Sequence, residues 1–365
     1  MINAGNCQPD AVTYGTLVKG FCMKGNNSAA IQLLRKMEEG ACKPGLVVYN
    51  TIIDSLCKDK LVDDALNLLS EMMSKGIAPD VITYTSLIHG VCKLGKWKEA
   101  KGLLNEMVSK NVFPDVCTFS VLVDTLCKEG MVGEAEGLVK MMIERDIQPN
   151  TVTYNSLMDG YCLRGEMSKA RKVFKLMLSK GSMVDVFSYS TLINGYCKRK
   201  MMDEAMTLLR EMSRKGLVPN TVTYSTLVDG CCKVGKLGDA QKLFSEMQDC
   251  GQLPDVQTYA VLLDGLCKNR QLSTAIQLFK EMEGKKLDAD IVVYSILIEG
   301  LCIAEKIESA WELFFGLSSR GLQMNVRTYT IMINGLCIGA EQVKQKSCLL
   351  KWKREVVLQM IVRIT

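Results

Sequence analysis

The chain has 365 residues, a formal net charge of +5, one histidine, seven prolines and sixteen cysteines. Its 48% apolar and 23% charged composition excludes a disordered chain, and no apolar run of about 18 residues offers a membrane span. It is too long for a secreted disulfide scaffold, has no C-x-x-C spacing, and holds His89 alone. Disulfide, zinc and histidine-based chemistry therefore lack support, and buried thiols in a reducing compartment are the expectation.

Met1–Asp10 reads as the end of an earlier repeat, as if the chain started inside a longer array. No Arg- and Ser-rich transit segment opens it. From there a period of 35 residues governs the chain. Pro9, Pro44, Pro79, Pro114, Pro149, Pro219 and Pro254 all lie at multiples of 35 from one another. Cys22, Cys57, Cys92, Cys127, Cys162, Cys197, Cys232, Cys267, Cys302 and Cys337 obey the same period. With slot 1 at Ala11, nine repeats follow without insertion: 11–45, 46–80, 81–115, 116–150, 151–185, 186–220, 221–255, 256–290 and 291–325. A partial tenth occupies 326–339.

Each repeat predicts two helices. Apolar slots 4, 7, 8, 11 and 12 form one helical face, and slots 17, 20, 23, 24 and 27 form another. Repeat two shows both, in Tyr49, Ile52, Ile53, Leu56 and Cys57, then Val62, Ala65, Leu68, Leu69 and Met72. Glycine at slot 15 separates the helices in five of nine repeats, and segments such as Lys75–Asp80 end the second helix. Slot 20 is alanine in all nine, as close helix approach requires. The Tyr, Cys and Met stripes at slots 4, 12 and 27 are read as core. The expected fold is an all-α, right-handed solenoid superhelix with a long concave surface.

The tail, 340–365, departs from every slot. Over Glu341–Thr365 it carries six basic residues against two acidic ones, so most of the net charge sits there. With permitted codons, a one-base shift over 343–365 restores Ala, Met and Pro at slots 20, 27 and 34. A frameshift near residue 340 is therefore the expectation, with an amphipathic helix over Leu350, Val357, Ile361 and Ile364 as a cap on the last repeat.

The segments VTYNSLMDGYC (Val152–Cys162) and VTYSTLVDGCCK (Val222–Lys233), with a following A…LF.EM…G..PD pattern, resemble the pentatricopeptide repeat. The resemblance covers residues 1 to about 339. The unbroken period resembles the P-class, and the Cys-Lys helix ending is similar to the restorer-of-fertility-like branch of plants. No editing-type deaminase, small MutS-related or metallonuclease domain is evident.

The resemblance implies single-stranded RNA binding, one nucleotide per repeat and in parallel orientation. Slots 5 and 35 would read the base edge, and slot 2 would sandwich the base. Asn50 with Asp80 implies U, Thr85 with Asp115 G, Ser120 with Asn150 A, and Asn155 with Asp185 U. Ser190 with Asn220 implies A, Ser225 with Asp255 G, and Ser295 with Asn325 A. Gly15 with Gly45 offers no side chain, Ala260 with Asp290 is ambiguous, and Thr330 has no partner. The implied core target is 5′-U-G-A-U-A-G-N-A-3′. The sandwich slots hold Val12, Val47, Ile82, Cys117, Val152, Phe187, Val222, Gln257 and Val292. Gln257 departs from the family pattern beside Ala260.

Physical reasoning leads in the same direction. Short polar side chains on the inner face can hydrogen-bond base edges, while apolar neighbours stack on base faces. A plain solvated face is the competing reading of slot 5. Lys58, Lys93, Lys128, Lys198, Lys233 and Lys268 recur at slot 13, suited either to phosphates or simply to the negative helix end. The expected protein is a monomeric, non-enzymatic RNA binder without cofactor or metal. By the resemblance it would act on organelle transcripts, mitochondrial rather than plastid, alone or with RNA-processing enzymes, and away from membranes. A protein-binding helical-repeat scaffold and a non-functional fragment of a longer array remain the alternatives.

Overall fold

The computed structural model describes residues 10–40, 42–179 and 184–338. The expectations for residues 1–9 and for the basic tail with its capping helix lie outside the described residues. Among the described residues there are nineteen α-helices and no strand.

The chain divides into two compact units, Met1–Val184 and Asp185–Thr365. The first unit holds α1 (Ala11–Met23), α2 (Asn27–Glu39), α3 (Leu46–Lys58), α4 (Val62–Ser74) and α5 (Val81–Lys93). It continues with α6 (Trp97–Ser109), α7 (Val116–Lys128), α8 (Val132–Glu144), α9 (Thr151–Arg164) and α10 (Met167–Ser179). The second unit holds α11 (Val186–Lys198), α12 (Met202–Arg214), α13 (Thr221–Lys233), α14 (Leu237–Asp249) and α15 (Val256–Lys268). It ends with α16 (Leu272–Gly284), α17 (Ile291–Ile303), α18 (Ile307–Ser319) and α19 (Val326–Ile338).

Within each unit the odd-numbered helices pack side by side, and each also packs on the even-numbered helix that follows it. The result is an all-α helical-repeat solenoid with a 35-residue repeat. One layer is made of first helices and the other of second helices.

Local chemistry sets the helix ends. Slot 35 caps each first helix from Asp80 onward: its side chain accepts from the slot-3 backbone N–H, as Asp115 does from Thr118 (2.9 Å) and Asn220 from Thr223 (2.9 Å). Slot 15 adopts the left-handed conformation in all nine repeats. The chain then closes with bonds such as Gly130 N to Cys127 O (3.1 Å) and Met131 N to Leu126 O (2.8 Å). Five of these slots are glycine, but Lys60, Lys200, Arg270 and Glu305 hold φ near +60°. A side chain costs about 1–2 kcal/mol there. Each replacement by glycine is expected to raise stability by about 0.5–1 kcal/mol, after the greater chain entropy of glycine is offset. Urea midpoints of the four single variants check this.

The core follows the slots. Alanine at slot 20 is 0% exposed in all nine repeats, and the methionines at slot 27, from Met37 to Met282, are equally buried. Each such methionine contributes about 1.5–3 kcal/mol of apolar burial. The slot-4 tyrosines reach past the core to find polar partners: Tyr84, Tyr189 and Tyr259 donate to Glu106 (3.1 Å), Glu211 (3.0 Å) and Glu281 (2.9 Å).

The slot-12 cysteines have a further task. Where slot 10 of the next first helix is glycine, as at Gly90, Gly160, Gly230, Gly265, Gly300 and Gly335, the cysteine side chain fills the space a Cβ would need; Ser55 and Thr125 take that slot after Cys22 and Cys92. A Cβ built on Gly160, Gly265 or Gly300 would stand 2.6, 2.2 or 2.4 Å from Sγ of Cys127, Cys232 or Cys267. Burial pushes these thiols up to about 12, so at neutral pH they remain protonated packing groups.

Candidate functional site

The site grows from the first helices. Their slot-2 side chains stand in the first turn of each helix and protrude: exposure runs from 43% at Val292 to 75% at Val47. Val12, Ile82, Val152, Phe187 and Val222 lie between those limits, and Cys117 and Gln257 are exposed as well. A recurrent row of exposed apolar side chains is a surface suited to stacking or docking.

Slot 5 behaves differently. Asn50, Ser120, Asn155, Ala260 and Ser295 are buried, while Thr85, Ser190 and Ser225 are half-buried. This is not an ordinary solvated face. Ser120 Oγ donates to Val116 O (2.7 Å), and Ser190, Ser225 and Ser295 bond likewise to the carbonyl four residues back. Asn50 instead reaches across to Asp80, with Nδ2 donating to Oδ1 at 3.0 Å. Asn155 Oδ1 is buried without a hydrogen-bond partner among the described residues.

Slot 35, a candidate site position, is the helix cap. The cap bonds of Asp80, Asp115, Asn150, Asp185, Asn220, Asp255, Asp290 and Asn325 all fall on Oδ1. The second terminal atom is left uncommitted by the cap. In aspartate that atom is an acceptor, and in asparagine it is a donor. The helix start thus decides the hydrogen-bonding character of the site. Burial raises the Asp80 carboxyl, but the Thr83 backbone and side chain and Asn50 outweigh it and hold it below the usual carboxylate range. It is a permanent anion at neutral pH.

In repeats two and three these groups meet in one cavity of about 910 Å³. Val47, Ile82, Asn50, Asp80 and Lys58 all line it, together with Lys19, Cys22 and Met23 of repeat one. A polar pair that shares a cavity with two exposed apolar side chains can hold a flat heterocycle by its faces and its edge.

The slot-13 lysines are less free than their spacing implied. Lys58, Lys128, Lys233 and Lys268 pair with the aspartate one turn earlier, Asp54 (2.5 Å), Asp124 (2.6 Å), Asp229 (2.6 Å) and Asp264 (2.7 Å). Such exposed pairs are worth only about 0.3–0.5 kcal/mol, so an incoming phosphate can compete for the ammonium. Lys93 and Lys198 follow His89 and Asn194 at that position and form no such pair.

One group was missed from the sequence. Slot 3 is fully buried threonine at Thr83, Thr118, Thr153, Thr223, Thr258 and Thr328, and serine at Ser188. Thr83 Oγ1 lies 2.6 Å from Asn50 Oδ1 and 2.9 Å from Asp80 Oδ1. The signal is present in the recurrent V-T-Y segment, whose threonine stands four residues before apolar slot 7 and so at the edge of the apolar face. Among the described residues no three His, Cys, Asp or Glu side chains gather as a metal site.

Models of the PPR repeat family match residues 44–93, 79–128, 121–163, 149–198, 184–233, 226–268, 261–303 and 289–338, and a PPR repeat matches 5–38. Among solved structures, the pentatricopeptide repeat protein PPR10 in complex with an 18-nt psaJ RNA element is similar over 95% of this chain and 54% of that chain, at 21% identity and TM-score 0.48. PPR10 from maize matches at 20% identity and TM-score 0.39, over 97% of this chain and 65% of that one. Yeast Rmd9p in complex with a 16-nt target RNA matches at 11% identity and TM-score 0.49, over 89% and 76%. The chain thus spans about half the length of the PPR10 chain in the RNA complex. No curated protein matches it.

Proposed function

The chain belongs to the PPR repeat family, and from that premise we propose that it binds single-stranded RNA, one nucleotide per repeat, along slots 2, 5 and 35. One observation carries the reading: the cavity that Val47 and Ile82 line together with the polar pair Asn50 and Asp80. Apolar faces take the base planes, the pair takes the base edge, and slot-13 lysines take phosphates.

The cap chemistry gives the base assignments a physical basis. An aspartate at slot 35 accepts from the ring N–H of U or G. An asparagine there donates to the bare ring nitrogen of A. Slot 5 sets size: Asn50 reaches out and leaves room for a pyrimidine, whereas Ser120 and Ser225 fold back on their own helix and admit a purine. The proposed target is 5′-U-G-A-U-A-G-N-A-3′.

We extend the proposal to the P-class, restorer-of-fertility-like proteins of plants and to mitochondrial transcripts, on the unbroken period and the Cys-Lys helix endings. The protein acts as a monomer and by occupancy rather than catalysis, shielding its segment or presenting it to a processing enzyme. Selection of bound RNA from a random pool tests the reading. Enrichment of sequences unrelated to U-G-A-U-A-G would end the base assignments, and absence of any enrichment would end RNA recognition.

The lysine stripe makes a separate expectation. Lys58→Ala should weaken binding to every RNA alike, by less than about tenfold, and lower the slope of log affinity against log salt by about 0.7. Titrations at several salt concentrations measure both. An unchanged slope would remove Lys58 from the phosphate contacts.

A further inference from the structure

We propose that, within each unit, the buried slot-3 hydroxyl of the following repeat positions the base-reading pair, and that a repeat without it does not discriminate bases. The inference rests on the RNA reading above and adds a third residue type to it.

The geometry recurs in both units. In the first, Thr83 Oγ1 bridges Asn50 and Asp80. Thr118 shares a hydrogen bond with Thr85 (2.7 Å) and donates to Asp115 Oδ1 (3.0 Å). Thr153 Oγ1 stands within hydrogen-bond distance of both Ser120 Oγ (2.7 Å) and Asn150 Oδ1 (3.0 Å). In the second unit, Thr223 joins Ser190 (2.7 Å) to Asn220 (2.9 Å), Thr258 joins Ser225 (2.9 Å) to Asp255 (2.7 Å), and Thr328 joins Ser295 (2.9 Å) to Asn325 (3.0 Å). Every one of these threonines is 0% exposed. None can touch RNA, so any influence on the base must pass through the pair.

The chain itself supplies the control. Slot 3 lacks a hydroxyl twice in the repeats that follow a complete one, at Val48 and Val293. These follow Gly15 and Ala260, the two slot-5 residues that cannot hydrogen-bond. Wherever slot 5 is Asn, Ser or Thr in repeats one to nine, slot 3 of the next repeat is Thr or Ser. Helix capping does not explain the match. Asp290 caps its helix without a slot-3 hydroxyl, its Oδ1 accepting from the Val293 backbone N–H at 3.0 Å. The hydroxyl is therefore dispensable for the cap and is present where a slot-5 polar group needs a fixed orientation. Repeats one and eight are spacers that accept any nucleotide.

The test uses the full chain and four RNAs that differ only at the nucleotide facing repeat two. Wild type is expected to favour U by about tenfold, the value of one well-made base contact. Thr83→Val should reduce that preference to about twofold and leave the other nucleotides unaffected, while Thr83→Ser restores it. A complementary pair works at repeat eight. Ala260→Asn alone should stay below about threefold discrimination, and Ala260→Asn with Val293→Thr should gain about tenfold for U. Full preference retained in Thr83→Val, or equal discrimination by Ala260→Asn with and without Val293→Thr, overturns the inference while base reading stands. A wild type indifferent to the nucleotide at repeat two overturns base reading, and this inference with it.

Discussion

Asn50→Ser, with Asp80 retained, is expected to move the preferred nucleotide at repeat two from U to G. Asn50 Nδ2 donates to Asp80 Oδ1 at 3.0 Å, so the carboxamide links the two polar residues that line the cavity. A serine there would turn back on the Leu46 carbonyl, as Ser120 does on Val116. The cavity then widens and admits the larger purine. Asp80 keeps its cap on Thr83 (2.9 Å) and its free oxygen still accepts a ring N–H, which G supplies and A does not. With each correct contact worth about tenfold or more, the U-to-G affinity ratio should change by about a hundredfold. Equilibrium binding to the four RNAs that vary at this nucleotide reads it. An unchanged preference for U would show that slot 5 does not set base size.

Gly265→Ala is expected to destabilise the protein by about 2 kcal/mol. In an exposed helix interior the same change gains up to about 1 kcal/mol. Here the new Cβ would stand 2.2 Å from Cys232 Sγ and 2.4 Å from Cys232 Cβ. Both atoms sit on a neighbouring helix rather than at the end of a flexible side chain, so two packed helices must separate. Cys232→Ala removes the thiol and should recover most of the loss in the double variant. Gly102→Ala is the control: nothing lies within 4 Å of its Cβ, and it should stabilise. Denaturation midpoints of the four variants give the coupling. A Gly265→Ala protein as stable as wild type would refute the account of slots 10 and 12.

Particular residues show how far the sequence could be read. Tyr49, Ala65 and Met72 declare their burial through spacing alone, and the structure buries all three. Asp80 enters as a candidate site residue only through resemblance, and its helix-capping role is not legible in the repeat as divided. The repeat boundary cut it away from Thr83, the residue it caps. Asn50, a plausible surface residue by type, is buried. Lys58 is read from the sequence as a phosphate-binding or helix-end cation, and its pairing with Asp54, four positions earlier on the same helix, was available from the spacing.

The sequence by itself determined the all-α class, the 35-residue period, the paired helices and the core stripes. Each of these depends on neighbours within about four residues, or on repetition, and both are visible along a line. Only the tertiary structure decided how repeats join. Thr83 meets Asn50, and Gly265 meets Cys232, across 33 residues of sequence. No local rule couples residues so far apart. The stacking of one first helix on the next brings them together, and that stacking sets both the space at slot 10 and the orientation of the pair at slots 5 and 35.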